Sequence, residues 1–161
     1  MVNYNAVLYV IKKITEANQS PCKKTLQKMV FLIEAKHIDL GCSYGIHFYG
    51  PYSSDLDFAV RELCDEGDLE IYYTPSEHKI IIEEGLSIDY NNDLVDRIIL
   101  EFAKDSPSEL ELLATALYVY SIDKKTSEIV SRVKKIKGEK YSVQRINDAI
   151  QRLERTGYIA A

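Results

Sequence analysis

The sequence predicts a mainly helical protein of two winged-helix-like (helix-turn-helix) units, the first with a β-hairpin wing and the second with its wing missing or truncated. Three observations carry the prediction. Seven segments place apolar residues at i, i+3, i+4 and i+7, the stripe of a helix that buries one face. A hairpin pattern follows directly on the third of these segments. The third and seventh segments also repeat one another at a constant offset.

In chain order the stripes are Val7-Val10-Ile11-Ile14, Leu26-Met29-Val30-Ile33 and Leu56-Ala59-Val60-Leu63, then Val95-Ile98-Ile99-Phe102, Leu110-Leu113-Ala114-Leu117, Ile129-Val130-Val133-Ile136 and Ile146-Ala149-Ile150-Leu153. Capping chemistry marks several starts. Ser106-Pro107-Ser108-Glu109 combines a capping hydroxyl, a proline suited to the first helical position and a glutamate able to reach back. Ser53 or Ser54 fits the start of the third helix and Ser142 that of the seventh. Gly41, Gly67, Gly138 and Gly157 each follow a stripe, where a left-handed residue ends a helix.

Strand signals are confined to two places. Gly45-Ile46-His47-Phe48-Tyr49 reads as a short β run closed by Gly50-Pro51. Residues 69–73 (LEIYY) and 79–83 (KIIIE) flank a turn-like stretch and read as an antiparallel hairpin, the wing. Tyr72 and Tyr73 alternate in side, so one of them is expected to be exposed.

The repeat aligns Leu56 with Ile146, Ala59 with Ala149, Val60 with Ile150, Leu63 with Leu153, Gly67 with Gly157 and Leu69 with Ile159. It describes a helix ended by glycine, after which the chain turns into an extended strand. In the second copy the chain stops after that strand begins. This divides the chain into an acidic unit over 1–84, a linker over 85–93 (EGLSIDYNN) and a second helical unit over 94–161. The unpaired strand expected at 158–161 invites homodimerisation by edge pairing.

Charge follows the same division. The net charge is -5, but residues 1–123 hold 10 Lys/Arg against 21 Asp/Glu and residues 124–161 hold 10 against 4. The third helix, SSDLDFAVRELCDE, carries five acids against Arg61, and acids facing phosphates are repelled, so this unit is expected to engage a protein. Asp65, Glu66 and Asp68 flank Gly67 at a helix C-terminus, where the macrodipole disfavours them; the cluster suits a solvated turn, a cation or a basic partner. The basic end is different. Lys134, Lys135, Lys137 and Lys140 precede a seventh helix presenting Gln144, Arg145, Arg152 and Arg155 off its apolar stripe, chemistry suited to DNA or an acidic partner, or to a merely solvated face.

The run Lys24-Thr25-Leu26-Gln27-Lys28-Met29-Val30-Phe31-Leu32, followed by Tyr49-Gly50-Pro51-Tyr52-Ser53, resembles the Panacea (SocA-like antitoxin) family and its YwgA-like relatives, mainly over residues 1–84. The resemblance implies a small helical domain acting as an antitoxin or a proteolytic adaptor. Leu26, Met29 and Val30 are accounted for by the core, whereas Gln27 and Lys28 are not. Those two, with Tyr49, Tyr52 and Asp55, are the expected protein-partner contacts.

Catalysis finds little support. His37, Cys42 and His47 are evenly spaced, but a structural zinc needs four ligands and no CxxC or second pair accompanies them. No phosphate-cradling motif is present, and no cofactor is expected. No apolar run approaches the ~18 residues of a membrane span. The N-terminus lacks the features of a signal peptide, and the three cysteines (Cys22, Cys42, Cys64) suit a reducing cytoplasm. The expected function is therefore a non-enzymatic regulatory binding protein, a transcriptional regulator or antitoxin-like, with a pure protein-interaction adaptor as the alternative.

Overall fold

All seven predicted helices form in a computed structural model, which describes residues 1–18, 21–47 and 50–160. They are α1 (Tyr4–Asn18), α2 (Lys23–Glu34), α3 (Ser54–Asp65), α4 (Asp93–Phe102), α5 (Pro107–Asp123), α6 (Ile129–Lys137) and α7 (Val143–Arg155), with a short 3-10 turn over Thr126–Glu128. The stripes are buried throughout, except on α6, where Val130 is half-buried and Ile136 is exposed. Ser53, Ser106 and Ser142 cap α3, α5 and α7 by accepting from the amides of Leu56, Glu109 and Arg145. Glu109 does not close a capping box; it accepts instead from Arg145 Nη2 at 3.1 Å.

Two antiparallel hairpins accompany the helices. The hairpin predicted over 69–83 pairs β3 (Leu69–Tyr73) with β4 (His78–Ile82), Ile71 opposite Ile80. Leu69 and Ile80 face the core, while Tyr72 and Tyr73 are both exposed. Tyr73 points to the core side but lies at the hairpin tip, beyond the core's reach, with its ring edge-on to His78 at 4.7 Å. The second hairpin joins β1 (Gly45–His47) to β2 (Gly50–Tyr52), with Gly45 opposite Tyr52 and His47 opposite Gly50. Gly50-Pro51 is therefore the returning strand and not the end of a single run. A further bridge ties Cys22 to Lys79, supported by the Ile80 amide donating to the Pro21 carbonyl at 2.8 Å.

The repeat is physical. Leu56, Ala59, Val60, Leu63 and Leu69 are buried, and so are Ile146, Ala149, Ile150, Leu153 and Ile159. Gly67 and Gly157 adopt φ values of 85° and 80°, and each is followed by an amide (Asp68, Tyr158) donating back to the leucine carbonyl five residues earlier. That is the Schellman end, which needs a left-handed residue and favours glycine. The copies then diverge. The strand expected at 158–161 does not form over 158–160, and Ala161 lies outside the described residues. Instead the Tyr158 hydroxyl donates to the Leu32 carbonyl at 2.7 Å, and Lys36 Nζ sits 4.3 Å from the Tyr158 ring centroid. Residues 158–160 are thus tied to α2 and present no open strand edge.

One apolar core runs through both halves. Its centre is α5, buried on nearly every side from Leu110 to Tyr120 and packed on α2, α6, α7 and β2. Helix α4 packs on α1 and α2, and Leu86, Ile88 and Tyr90 of the linker lean on the same core. Residues 85–92 thus mark a break in regular secondary structure but not in packing. No helix among the described residues is long and apolar enough to cross a membrane.

Candidate functional site

Helix α2 buries more than one face. Leu26, Met29, Val30 and Ile33 fill the core, and on the adjoining side Thr25, Gln27 and Lys28 are buried too. Buried polar groups need partners, and here they come from a segment more than twenty residues away. Gln27 Nε2 donates to the Ser53 carbonyl at 2.9 Å, and its Oε1 accepts from the Ser53 amide at 2.8 Å. The amide side chain thereby mimics a neighbouring strand and holds Ser53 where its hydroxyl caps α3. Lys28 Nζ donates to the Pro51 carbonyl at 2.8 Å. The two residues expected to meet a partner instead dock the Gly50–Ser53 segment, and neither is available at the surface.

Lys28 also belongs to a buried charge cluster that joins the two halves. Its centre is the Glu111 carboxylate on α5, which accepts from Lys140 Nζ at 2.8 Å, from the Tyr141 hydroxyl, and lies 3.6 Å from Lys137 Nζ. Lys137 has only 5% of its side chain exposed. Burial alone raises a carboxylic pKa, but the hydrogen bonds from Lys140 and Tyr141 and the charge of Lys137 outweigh it and hold Glu111 below its usual range. The Tyr141 hydroxyl is pushed up, by burial first and by the Glu111 bond second. Beside them the Thr115 hydroxyl has no hydrogen-bond partner among the described residues.

Burial lowers the Lys28 pKa to about 8 from an ordinary 10.5, with Glu111 opposing the shift. The folded chain therefore releases this proton more readily than the unfolded chain does. Between pH 8 and 10.5 the unfolded state binds the extra proton, so this residue's contribution to stability rises with pH across that window and is flat below it. The unfolding free energy of wild type minus that of Lys28→Met should climb from pH 8 to 10.5, and a level difference would contradict the assignment.

Half of the basic end is engaged by carboxylates at 101–111. Arg152 grips the Asp105 carboxylate through both terminal nitrogens, at 2.8 and 2.7 Å, donates to the Glu101 carbonyl and stacks over Phe102. Arg145 pairs with Glu109 and lies over Tyr141, Lys134 pairs with Glu139, and Gln144 bonds Asp148. Lys137 and Lys140 serve Glu111. Lys135 and Arg155 stand in solvent. Of the eight residues expected to contact nucleic acid or an acidic partner, four (Lys137, Lys140, Arg145 and Arg152) are thus clamps to carboxylates at 101–111, two pair locally and two stand in solvent.

The remaining predicted residues lie around α3. Tyr49 falls outside the described residues. Tyr52 is half-buried, its phenol raised by burial and by a hydrogen bond with Asp57. Asp55 is exposed and accepts from the Ser43 amide and hydroxyl, at 3.2 and 2.8 Å, which hold its carboxyl low. Between Asp55 and Glu62 stands Phe58, 55% exposed, which sequence reasoning passed over. Its signal was available: it is an aromatic residue off the 56-59-60-63 stripe. Phe58 forms one wall of a groove of about 710 Å³ whose other apolar walls are Met1, Val2 and Tyr4. The Tyr4 hydroxyl donates to Glu62 across it.

Of the evenly spaced His37-Cys42-His47 set, two side chains are described. His37 is exposed with a left-handed backbone, and the Cys42 thiol lies among Glu34 and Tyr44, pushed up to about 12 by burial and then by Glu34. The His47 side chain lies outside the described residues. A thiol with so high a pKa stays protonated and is a poor nucleophile. Among the described residues no three His, Cys, Asp or Glu side chains converge to hold a metal ion.

No family model matches the chain. It is 26% identical to the uncharacterized protein YwgA of Bacillus subtilis (strain 168), over 90% of this chain and 92% of that protein. The similarity to YwgA thus extends well beyond residues 1–84, where the motif resemblance mainly lies.

Proposed function

We propose that this chain is a non-enzymatic protein-binding module of winged-helix type, which engages a protein partner through the outward face of α3. The observation that carries the reading is Phe58, more than half exposed on a helix whose other outward groups are mostly acidic. Exposed aromatic surface beside a groove is interface material. The order α1, Cys22 bridge, α2, α3, β3, β4 supports a winged-helix description, in which α3 holds the position that reads DNA in nucleic-acid binders. Here the acids Asp55, Glu62, Asp65 and Glu66 make that position hostile to phosphate. The internal pairing of Arg145, Arg152, Lys137 and Lys140 argues against DNA at the other end. The antitoxin or adaptor role implied by the Gln27-Lys28 and Gly50-Pro51 motifs is of the same protein-binding class. Three free cysteines suit a cytoplasmic setting.

The test is affinity purification of the tagged chain from its own cells beside Phe58→Asp, with gel shifts on duplex DNA at about 50 and 200 mM salt. A co-purifying protein lost in the variant, with no shift, is expected. A salt-sensitive shift abolished by Lys135→Glu and Arg155→Glu would restore the DNA-binding reading.

A further inference from the structure

We infer that the groove beside α3 takes a basic protein segment, which seats one apolar side chain against Phe58 and sets Lys or Arg against the Asp65–Glu66 end of the helix. The inference rests on the protein-binding reading above and names the chemistry of the partner.

The groove supplies the anchor and the charges select the occupant. Residues 55, 58, 62, 65 and 66 recur at i, i+3, i+7, i+10 and i+11, which puts them along one side of α3. That side reads acid, aromatic, acid, acid, acid. Asp55 is answered by Ser43 and by the nearby chain N-terminus, and Glu62 by the neutral Tyr4 hydroxyl. Arg61, the cation on the groove wall, lies 3.5 Å from Asp57 of its own helix, a carboxylate that Lys23 also approaches at 3.6 Å. Asp65 and Glu66 are exposed at the helix C-terminus, where the macrodipole is negative and like charge is unfavourable. Asp68 and the exposed Glu70 extend the same field past Gly67. Carboxylates placed against the dipole lower stability locally, and a partner's cations are the natural compensation.

Alternative occupants fit less well. Nucleic acid and anionic lipid surfaces share the groove's own sign and are repelled. A second copy of this chain would have to offer its basic α6–α7 end, where Lys137, Lys140, Arg145 and Arg152 are already held by Glu101, Asp105, Glu109 and Glu111. A basic segment with an apolar anchor satisfies both the Phe58 wall and the Asp65–Glu66 end of the helix.

The experiment replaces Phe58 with a benzophenone-bearing amino acid in the full chain, expressed in its own cells, with the same photo-reactive residue at Leu100 as control. Leu100 is exposed on α4, outside the groove. Irradiation should give an adduct at 58 and not at 100, and mass spectrometry should map it to a segment of net positive charge. Adding Asp65→Lys and Glu66→Lys should cut the adduct about tenfold at low salt, since rim charges act through steering and screened attraction. These lysines suit the helix C-terminus, so a melt no lower than that of the parent removes unfolding as an explanation. An adduct on a neutral or acidic segment, on a second copy, or insensitive to the two lysines overturns the basic occupant and leaves protein binding standing. No adduct at 58 overturns both.

Discussion

Replacing Glu111 with leucine is expected to lower the unfolding free energy by about 3–5 kcal/mol, the range for breaking one side of a buried ion cluster. The loss comes from what remains behind. Without the carboxylate, the buried Lys137 loses the counter-charge 3.6 Å away, Lys28 loses the charge that opposes its desolvation, and the Tyr141 hydroxyl loses an acceptor. Lys140 is different. Its side chain is 42% exposed, so Lys140→Ala removes a pair already shared with water and should cost less than about 1 kcal/mol. Urea midpoints of the two variants separate the cases, provided the slope with denaturant is unchanged. Adding Lys137→Met to Glu111→Leu should recover part of the loss, because an apolar replacement of both partners removes the buried cation along with its carboxylate. A cost for Glu111→Leu as small as that for Lys140→Ala would mean the cluster is hydrated and carries little.

That cluster also marks where the sequence stops being readable. The helices were legible because their evidence is local: a stripe such as Leu56-Ala59-Val60-Leu63 and an end such as Gly67 lie within a few turns of each other. Glu111 was not legible by the same logic. A one-sided stripe at Leu110-Leu113-Ala114-Leu117 leaves Glu111 and Thr115 facing out, but α5 is surrounded by α2, β2, α6 and α7, so nothing on it is exposed from Leu110 to Tyr120. The near-continuous apolar run LELLATALYVY was the available hint of a central helix. Gln27 and Lys28 misled for a related reason. Polar side chains with no place in a stripe look like surface contacts until a backbone segment is known to come and meet them.

Charge misled by being counted along the chain. The balance separates an acidic body from a basic end, yet Glu101, Asp105, Glu109 and Glu111 of the body are the partners of Arg152, Arg145, Lys137 and Lys140 of the end. Folding mixes what the sequence segregates. What is left unmixed is the acidic outward side of α3, which is why the objection to nucleic acid at that helix survives while the case for it at α7 weakens.

Gly50→Ala should be the second most damaging single change, lowering stability by about 2–4 kcal/mol. Two effects combine. Gly50 has φ of 95°, and an L side chain there is strained by about 1–2 kcal/mol. A methyl group at this position would also meet the Thr115 Oγ1 at 2.8 Å, with Lys28 Cε at 3.4 Å and Glu111 Cγ at 3.5 Å close behind. Overpacking of that kind adds roughly 1–3 kcal/mol when neighbours cannot yield, and these neighbours are fixed from both sides, Lys28 by the Pro51 carbonyl and Glu111 by Lys140. The two effects can be divided. Thr115→Ala removes the nearest atom but leaves the backbone angle, and since that hydroxyl has no hydrogen-bond partner among the described residues its own deletion should cost about 1 kcal/mol or less. In a double-mutant cycle the pair should then be less destabilising than the sum of the singles by about 1–2 kcal/mol, with the backbone strain remaining. Strict additivity would put the whole effect in the φ angle and remove packing against Thr115 as a reason for glycine before Pro51. A coupling of the expected size would tie the Gly50-Pro51 motif on β2 to α5 across the junction of the two halves, and explain why Gln27 and Lys28 grip the carbonyls that follow it.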